Sequence, residues 1–167
     1  MAGILAAGME APDFSLPKDG GGKISLKALK GRKVVVYFYP RADTPGCKRE
    51  AIAFNRLKRE FEEAGTVILG VSADPVPAQE KFKAKYGLGF PLASDESRAM
   101  LAAYGVWNEK SMYGRMFMGV VRATYLIDRE GRIAKVWPKV KVDGHAEDVL
   151  QAARQLGPAR RADRSAE

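Results

Sequence analysis

Cysteine and histidine are scarce in this sequence: its 167 residues include one of each, Cys47 and His145. A single cysteine excludes an internal disulfide, and with it the framework of a small secreted protein and a four-cysteine zinc site. A free thiol is typical of a protein from a reducing compartment. The cysteine content therefore predicts a cytoplasmic protein and raises the question of what one thiol does.

Long apolar runs are also missing. No uninterrupted apolar stretch approaches the length of a bilayer span, and the opening MAGILAAGME has neither the basic start nor the long apolar core of a secretory signal. We therefore expect a cytoplasmic location and no membrane partner.

Acidic residues are fewer than basic ones, 20 against 28, which gives a formal net charge of +8. Such an excess can favour nucleic acid or another anionic surface. However, acidic and basic residues alternate over 48–63, as on a solvated helix face, and the densest basic cluster lies in the tail 158–167, which is predicted to be disordered. Nucleic-acid binding is therefore the weakest of the functional hypotheses.

What is present predicts one domain over residues 1–157, because apolar residues make up 46% of the chain and are spread between turn signals. Hydrophobic periodicity predicts the following elements: a β-hairpin over 12–26, a buried central strand at 34–39, a helix from 47 to 65, a strand at 66–72, helices at 77–86 and 95–104, a hairpin of strands 123–127 and 132–137, and a helix at 144–156. This order indicates an α/β fold in which helices flank both faces of a central mixed β-sheet, with an N-terminal β-hairpin.

The single cysteine lies where a helix is predicted to begin. Asp43 or Thr44 suits the N-cap, Pro45 the first helical position and Gly46 the next, so Cys47 falls in the first turn. Unpaired amides and the positive end of the helix dipole favour a thiolate there, and two basic residues follow. This pattern indicates an activated nucleophile; the alternative is a small buried apolar side chain, a common role of free cysteine.

Three residues at and before this helix start carry a resemblance to a known family. Pro40, Thr44 and Cys47 have the P-x-x-x-T-x-x-C spacing of peroxiredoxins, and DTPGC followed by Glu50 is similar to the bacterioferritin-comigratory, or Q-type, branch. The similarity extends to the segments GMEAPDFSLP, VVVYFYP, YGVWNEK and GVVRATYLIDREGRI. It implies a thioredoxin-like fold and the reduction of hydrogen peroxide and organic hydroperoxides.

The resemblance also implies roles for individual residues. Cys47 is the peroxidatic nucleophile, which attacks the terminal peroxide oxygen and becomes a sulfenic acid. Thr44 binds the peroxide through its hydroxyl, Pro40 shields the thiolate, and Arg122 stabilises the departing oxygen. Glu50 lies on the same helix face as Cys47 and either orients Arg122 or another basic group, or only complements the helix dipole. No metal or other cofactor is implied, because the cysteine supplies the redox chemistry.

The sequence departs from the family at the resolving cysteine. Many members carry it five residues after the peroxidatic cysteine, where this chain has Ile52. A one-cysteine mechanism is therefore predicted, in which an external thiol, such as thioredoxin, glutaredoxin or a low-molecular-weight thiol, reduces the sulfenic acid.

Other hypotheses remain open at this point. A thiol protein that senses peroxide, or a redox scaffold without efficient turnover, would show the same nucleophile. A Cys-His hydrolase lacks an identifiable third group, and we expect His145 at the surface or in a helix cap. Trp107 and Trp137 are expected to pack in the core or at a pocket rim.

The oligomeric state is predicted as a monomer or a weak homodimer. The apolar segment SMYGRMFMG, residues 111–119, is expected to pack on the domain or to line a pocket, and contact with a second subunit is the alternative.

Overall fold

The structure is a computed structural model that describes residues 3–156. Its strands are β1 (Ser15–Pro17), β2 (Lys23–Ser25), β3 (Lys33–Phe38), β4 (Thr66–Ser72), β5 (Leu92–Ser94), β6 (Trp107–Met112), β7 (Arg115–Val120), β8 (Ala123–Ile127) and β9 (Ile133–Trp137). Its helices are α1 (Pro45–Arg56), α2 (Lys58–Glu63), α3 (Val76–Tyr86), α4 (Ala99–Ala103) and α5 (His145–Leu156).

The main sheet is built around β3, all of whose residues are buried. It has the order β5-β4-β3-β8-β9, in which β3, β4 and β5 run parallel while β8 and β9 pair antiparallel with their neighbours. A run of β-branched and aromatic residues suits such a strand, because both of its faces meet apolar neighbours. The predicted central strand and mixed sheet are confirmed.

Successive β3 side chains enter two separate cores. Val35 and Tyr37 face one core, which includes residues of α1, α2, α3 and α5; Val34, Val36 and Phe38 face the other, which includes residues of α4 and the N-terminal segment. β1 and β2 form the predicted N-terminal hairpin. The sheet thus carries helices on both faces, as expected for a thioredoxin-like fold.

Two predicted helices differ from the observed ones. The helix predicted from 47 to 65 is divided at Leu57, whose amide donates to the Phe54 carbonyl, one residue short of the α-helical partner. The helix predicted at 95–104 is reduced to α4, because Arg98 has φ of 68° and the Asp95 carboxylate accepts a hydrogen bond from the Leu101 amide. Polar contacts before α4 thus replace its first turn.

The sequence analysis missed β5 and the hairpin formed by β6 and β7. This hairpin is a separate two-stranded sheet. The expectation that residues 111–119 pack on the domain is wrong, because Met112, Met116, Phe117 and Met118 are 42–62% exposed. The other part of that expectation holds, since five residues of the segment line a shallow surface pocket: Met112, Tyr113, Arg115, Met116 and Phe117.

Residue 157 and the tail 158–167 lie outside the described residues, so the domain boundary and the disordered tail stay predictions. Among residues 3–156, no helix has the length and apolar character that crossing a bilayer requires.

Candidate active site

The first turn of α1 presents Cys47 at the end of the sheet. Pro45 begins the helix, and Thr44 precedes it in an extended conformation with φ of −81° and ψ of 158°, as an N-cap residue does. The Thr44 hydroxyl does not cap the helix; it donates to the Arg41 carbonyl oxygen at 2.8 Å. Cys47 is 2% exposed and lies in the core beside the sheet.

Arg122 reaches Cys47 because β8 pairs with β3. Ala123 lies opposite Phe38, the last residue of β3, so Arg122 emerges next to the loop that leads into α1. Its Nη2 donates to Cys47 Sγ at 3.5 Å, and its Nη1 donates to Glu50 Oε1 at 2.7 Å. The structure thus brings together Cys47, Glu50 and Arg122. Cys47 and Glu50 are one helical turn apart, whereas Arg122 is distant from both in sequence.

The carboxylate and the guanidinium influence each other strongly because both are largely buried. Burial raises the pKa of Glu50 to about 7, although the Arg122 charge acts in the opposite direction. Burial alone would lower the pKa of Arg122, but Glu50 and Cys47 raise it. Glu50 Oε2 has no hydrogen-bond partner among the described residues. Arg122 therefore remains cationic, held on one side by Glu50 with its other nitrogen directed at the sulfur.

Gly46 allows this approach. A Cβ atom at this position would lie 3.0 Å from Arg122 Nη2, which is closer than ordinary van der Waals contact. The sequence analysis assigned Gly46 only to the helix start. The position of Gly46 directly before the cysteine was a signal that the site requires a small residue. The sequence did not show that the neighbouring side chain is Arg122.

Pro40 lies at the start of the loop, directly after the buried Tyr39, and is itself half-buried. The following residues are fastened to the rest of the molecule by side chains that the sequence analysis did not identify. The Ala42 amide donates to Asp74 Oδ2 at 2.8 Å, and the Ser72 hydroxyl donates to the same oxygen at 2.6 Å. These contacts connect the loop to the end of β4.

A second fastening joins the loop to the end of α3. Asp43 has φ of 62°, in the left-handed region, and its carboxylate accepts hydrogen bonds from Lys85 Nζ at 2.9 Å and from the Tyr86 hydroxyl at 2.6 Å. These hydrogen bonds lower the pKa of Asp43. We call these three residues the Asp43 latch. It holds Asp43 in a left-handed backbone conformation that residues other than glycine rarely adopt.

His145 was expected at the surface or in a helix cap; it begins α5 but is not a surface residue, so the first of these alternatives is wrong. It is 6% exposed, its Nε2 lies 2.8 Å from the Thr124 hydroxyl, and its ring meets Phe54 and Trp137 edge to face. Burial lowers the pKa of His145 to about 4. The imidazole is therefore neutral and structural. Trp107 and Trp137 are half-buried and pack against the two cores, as predicted.

Comparison with known families shows which chemistry the chain performs. Residues 7–136 match the AhpC/TSA family. The chain belongs to this family. Among its relatives, the putative peroxiredoxin bcp of Coxiella burnetii is 48% identical over 146 residues, covering 87% of this chain and 97% of that protein. Peroxiredoxin Bcp of Bacillus subtilis is 42% identical over 152 residues, covering 91% and 97%.

Solved structures give the same result. The Xanthomonas campestris bacterioferritin comigratory protein, whose structures concern its alkyl peroxide reduction activity, matches with a TM-score of 0.85 and 43% identity over 90% of this chain and 99% of that chain. The prediction of a Bcp, or Q-type, peroxiredoxin with a thioredoxin-like fold is confirmed. The chain is a thiol-dependent peroxidase.

The relatives also show how this peroxiredoxin differs. Two solved variants of the Xanthomonas campestris protein each replace a different cysteine by serine, so that relative has at least two cysteines. This chain has one.

Proposed function

We propose that Cys47 reduces hydroperoxides with the direct help of Arg122 and Thr44, and that an external thiol completes the cycle. The observation that carries the proposal is the contact of 3.5 Å between Arg122 Nη2 and Cys47 Sγ in the first turn of α1. A guanidinium and the amides of a helix N-terminus both favour a sulfur anion at this position.

In the oxidative step the Cys47 thiolate attacks the terminal oxygen of the peroxide. The S–O bond forms as the O–O bond breaks, so sulfur is oxidised and the peroxide is reduced. The departing alkoxide or hydroxide takes up a proton and leaves as an alcohol or water, and Cys47 becomes a sulfenic acid. Negative charge moves from the sulfur to the departing oxygen, and a guanidinium beside the sulfur stabilises that charge along its path.

Thr44, Pro40 and Glu50 prepare the site. The Thr44 hydroxyl donates to Arg41, so its oxygen can accept a hydrogen bond from a peroxide O–H. Pro40 has no amide proton and, from its place at the start of the loop, would shield the thiolate. Glu50 acts as a positioning residue, because its hydrogen bond of 2.7 Å fixes the orientation of the Arg122 guanidinium.

The reductive step uses a thiol from outside the chain, since the sequence has no second cysteine. The thiol condenses with the sulfenic acid, water leaves, and a second thiol breaks the mixed disulfide to restore Cys47. Candidate reductants are thioredoxin, glutaredoxin and a low-molecular-weight thiol. A cycle that consumes thiols also supports a cytoplasmic location and requires no partner subunit, which is consistent with a monomer or weak homodimer.

Stopped-flow oxidation tests the proposal. Reduced protein is mixed with hydrogen peroxide or cumene hydroperoxide, tryptophan fluorescence follows the reaction, and intact mass identifies the product, with Cys47→Ser as the unreactive control. We expect oxidation several orders of magnitude faster than that of free cysteine and a gain of one oxygen. Steady-state assays with each thiol then identify the reductant. A Cys47 that reacts no faster than free cysteine would contradict the proposal.

A further inference from the structure

The hairpin formed by β6 and β7 concentrates the exposed apolar surface of the molecule. We call residues 107–120 the β6–β7 arm. Of the eight large apolar side chains that are exposed among residues 3–156, five lie in this arm: Met112, Tyr113, Met116, Phe117 and Met118. Their exposed fractions run from 42% to 96%. Such a concentration marks an interaction surface, because soluble domains rarely leave contiguous apolar side chains uncovered.

The apolar side chains lie on both faces of the arm. In an antiparallel pair, directly opposed residues share a face and successive pairs alternate between faces. The pairs Lys110–Phe117 and Met112–Arg115 therefore lie on one face, and the pairs Glu109–Met118 and Ser111–Met116 lie on the other. A protein partner covers one face of a ribbon, whereas an apolar medium surrounds both. The two-sided pattern favours insertion into such a medium.

The charges and the tip of the arm indicate which medium. The face that carries Phe117 and Met112 also carries the cations Lys110 and Arg115 and no carboxylate, and the whole chain has a net charge of +8. Tyr113, at the turn, is 96% exposed. Apolar side chains, an aromatic ring with a polar group, and cations on one element are the composition of segments that bind the interface of anionic bilayers.

We propose that the β6–β7 arm inserts its tip into the surface of a membrane containing anionic lipids. Met112, Tyr113, Met116 and Met118 enter the boundary between headgroups and acyl chains, while Arg115 contacts anionic headgroups. The expectation of no membrane partner arose from a search for spanning segments and secretory signals. A hairpin that binds the surface requires neither.

The base of the arm adjoins the active site. β7 ends at Val120, two residues before Arg122, and Lys110 Nζ donates to the Val120 carbonyl oxygen at 2.9 Å. Phe117 and Lys110 both lie against Gly119, where an added Cβ would be 3.3 Å and 2.8 Å from them. A bilayer bound by the tip therefore lies at the outer end of a six-residue strand whose inner end adjoins Arg122. The substrate class that follows, hydroperoxides of membrane lipids, rests on the proposed function.

Vesicle co-sedimentation tests the inference with the full chain. We expect the protein to bind vesicles of phosphatidylcholine mixed with phosphatidylglycerol and to bind phosphatidylcholine alone more weakly. The double variant Met116→Ser/Met118→Ser should lower the partition coefficient by about tenfold or more, because it removes apolar surface from the inserted segment. Arg115→Gln should lower it about fivefold. Met9→Ser, which changes an exposed methionine outside the arm, is the matched control and should leave binding unchanged.

Three results would overturn the inference: no binding to anionic vesicles, equal binding by the double variant and wild type, or a dimer in sedimentation velocity that the double variant loses without any vesicle binding. The last result would assign the arm to a second copy of the chain. Oxidation of Cys47 by hydrogen peroxide without vesicles is measured in parallel. Normal oxidation with no vesicle binding would refute only the arm's role, and vesicle binding with slow oxidation would refute only the proposed function.

Discussion

The site around Cys47 and the β6–β7 arm both depart from the usual rule that charged side chains are exposed and apolar side chains are buried. In the pocket, charge is buried: the side chains of Glu50 and Arg122 are 2% and 20% exposed. In the arm, apolar surface is exposed, and Met116 is 62% exposed only six residues before Arg122. The cost of burying the two charges is only partly offset by their ion pair, since burial still raises the pKa of Glu50 to about 7. The exposed methionines have no covering side chains within residues 3–156, which is why we propose a membrane surface as their partner.

The largest effect should come from removing the charge in the pocket. Arg122→Ala should lower the second-order rate constant for Cys47 oxidation by about 100- to 1000-fold, because one preorganised donor to the developing charge is lost. Arg122→Lys keeps the charge without the planar fork and should fall between wild type and Arg122→Ala. Stopped-flow fluorescence measures all three. An alanine variant as fast as wild type would show that the buried charge has only a structural role.

His145 differs from Glu50 and Arg122 because it is a buried titratable group that stays neutral. Its pKa in the folded protein is lowered to about 4 from 6.5 by burial, with Asp148 acting against and Arg122 with that shift. As the pH falls, the unfolded chain therefore binds a proton at His145 before the folded chain does. The free energy of unfolding that His145 contributes above pH 6.5 is lost as the pH falls toward 4. At pH 5 this loss amounts to about 2 kcal/mol.

Urea unfolding at pH 7 and pH 5 checks this value. We expect His145→Gln, which does not titrate, to lose about 2 kcal/mol less free energy of unfolding than wild type between the two pH values. The difference between variant and wild type isolates His145 from other groups that titrate in this range. Equal losses would contradict this, because they would mean that His145 has the same pKa in the folded and in the unfolded protein.

Gly46→Ala separates reactivity from stability. The new methyl group would meet Arg122 Nη2 at 3.0 Å and displace the guanidinium, so Cys47 oxidation should slow about tenfold. Thermal unfolding should show no loss of stability, because alanine is favoured over glycine in a helix by up to about 1 kcal/mol. Unchanged oxidation would show that Arg122 tolerates displacement, and a large loss of stability would show that the clash is relieved by the backbone instead.

The smallest effect is expected in the arm. Met116→Ser/Met118→Ser should change the free energy of unfolding by no more than about 0.5 kcal/mol, because both side chains are exposed. Urea denaturation without lipid measures it. A loss of several kcal/mol would show that the arm packs within the protein, which would remove the contrast with the pocket.

The central strand and the position of Cys47 could be predicted from the sequence because both depend on local patterns. VVVYFY shows burial directly, and the residues before Cys47 specify a helix start. Arg122 was assigned by resemblance to a family, since nothing local distinguishes it from other strand-end arginines; the pairing of β8 with β3 is what brings it to Cys47.

Other features could not be predicted because they depend on tertiary contacts. Asp43 and Tyr86 lie 43 residues apart, and neither has a pattern that specifies the other. His145 was expected at the surface because polar helix starts usually lie there, whereas Thr124 supplies a buried partner. The apolar content of residues 111–119 was evident. However, the sequence does not distinguish an apolar strand residue that faces the core from one that faces solvent.

The Asp43 latch has a consequence for the timing of the cycle. Cys47 is 2% exposed, which suffices for a peroxide but is too enclosed for a thiol carried by a larger molecule. Lys85, Asp43 and Tyr86 meet at the surface, where ion pairs are weak and easily broken. Under the proposed cycle, the oxidative half-reaction proceeds with the loop closed, and the reductive half-reaction waits for it to open. The Asp43 contacts and the Ala42–Asp74 hydrogen bond would both have to open for this, so under the proposed cycle their opening would limit the reductive half-reaction and leave the oxidative one unaffected.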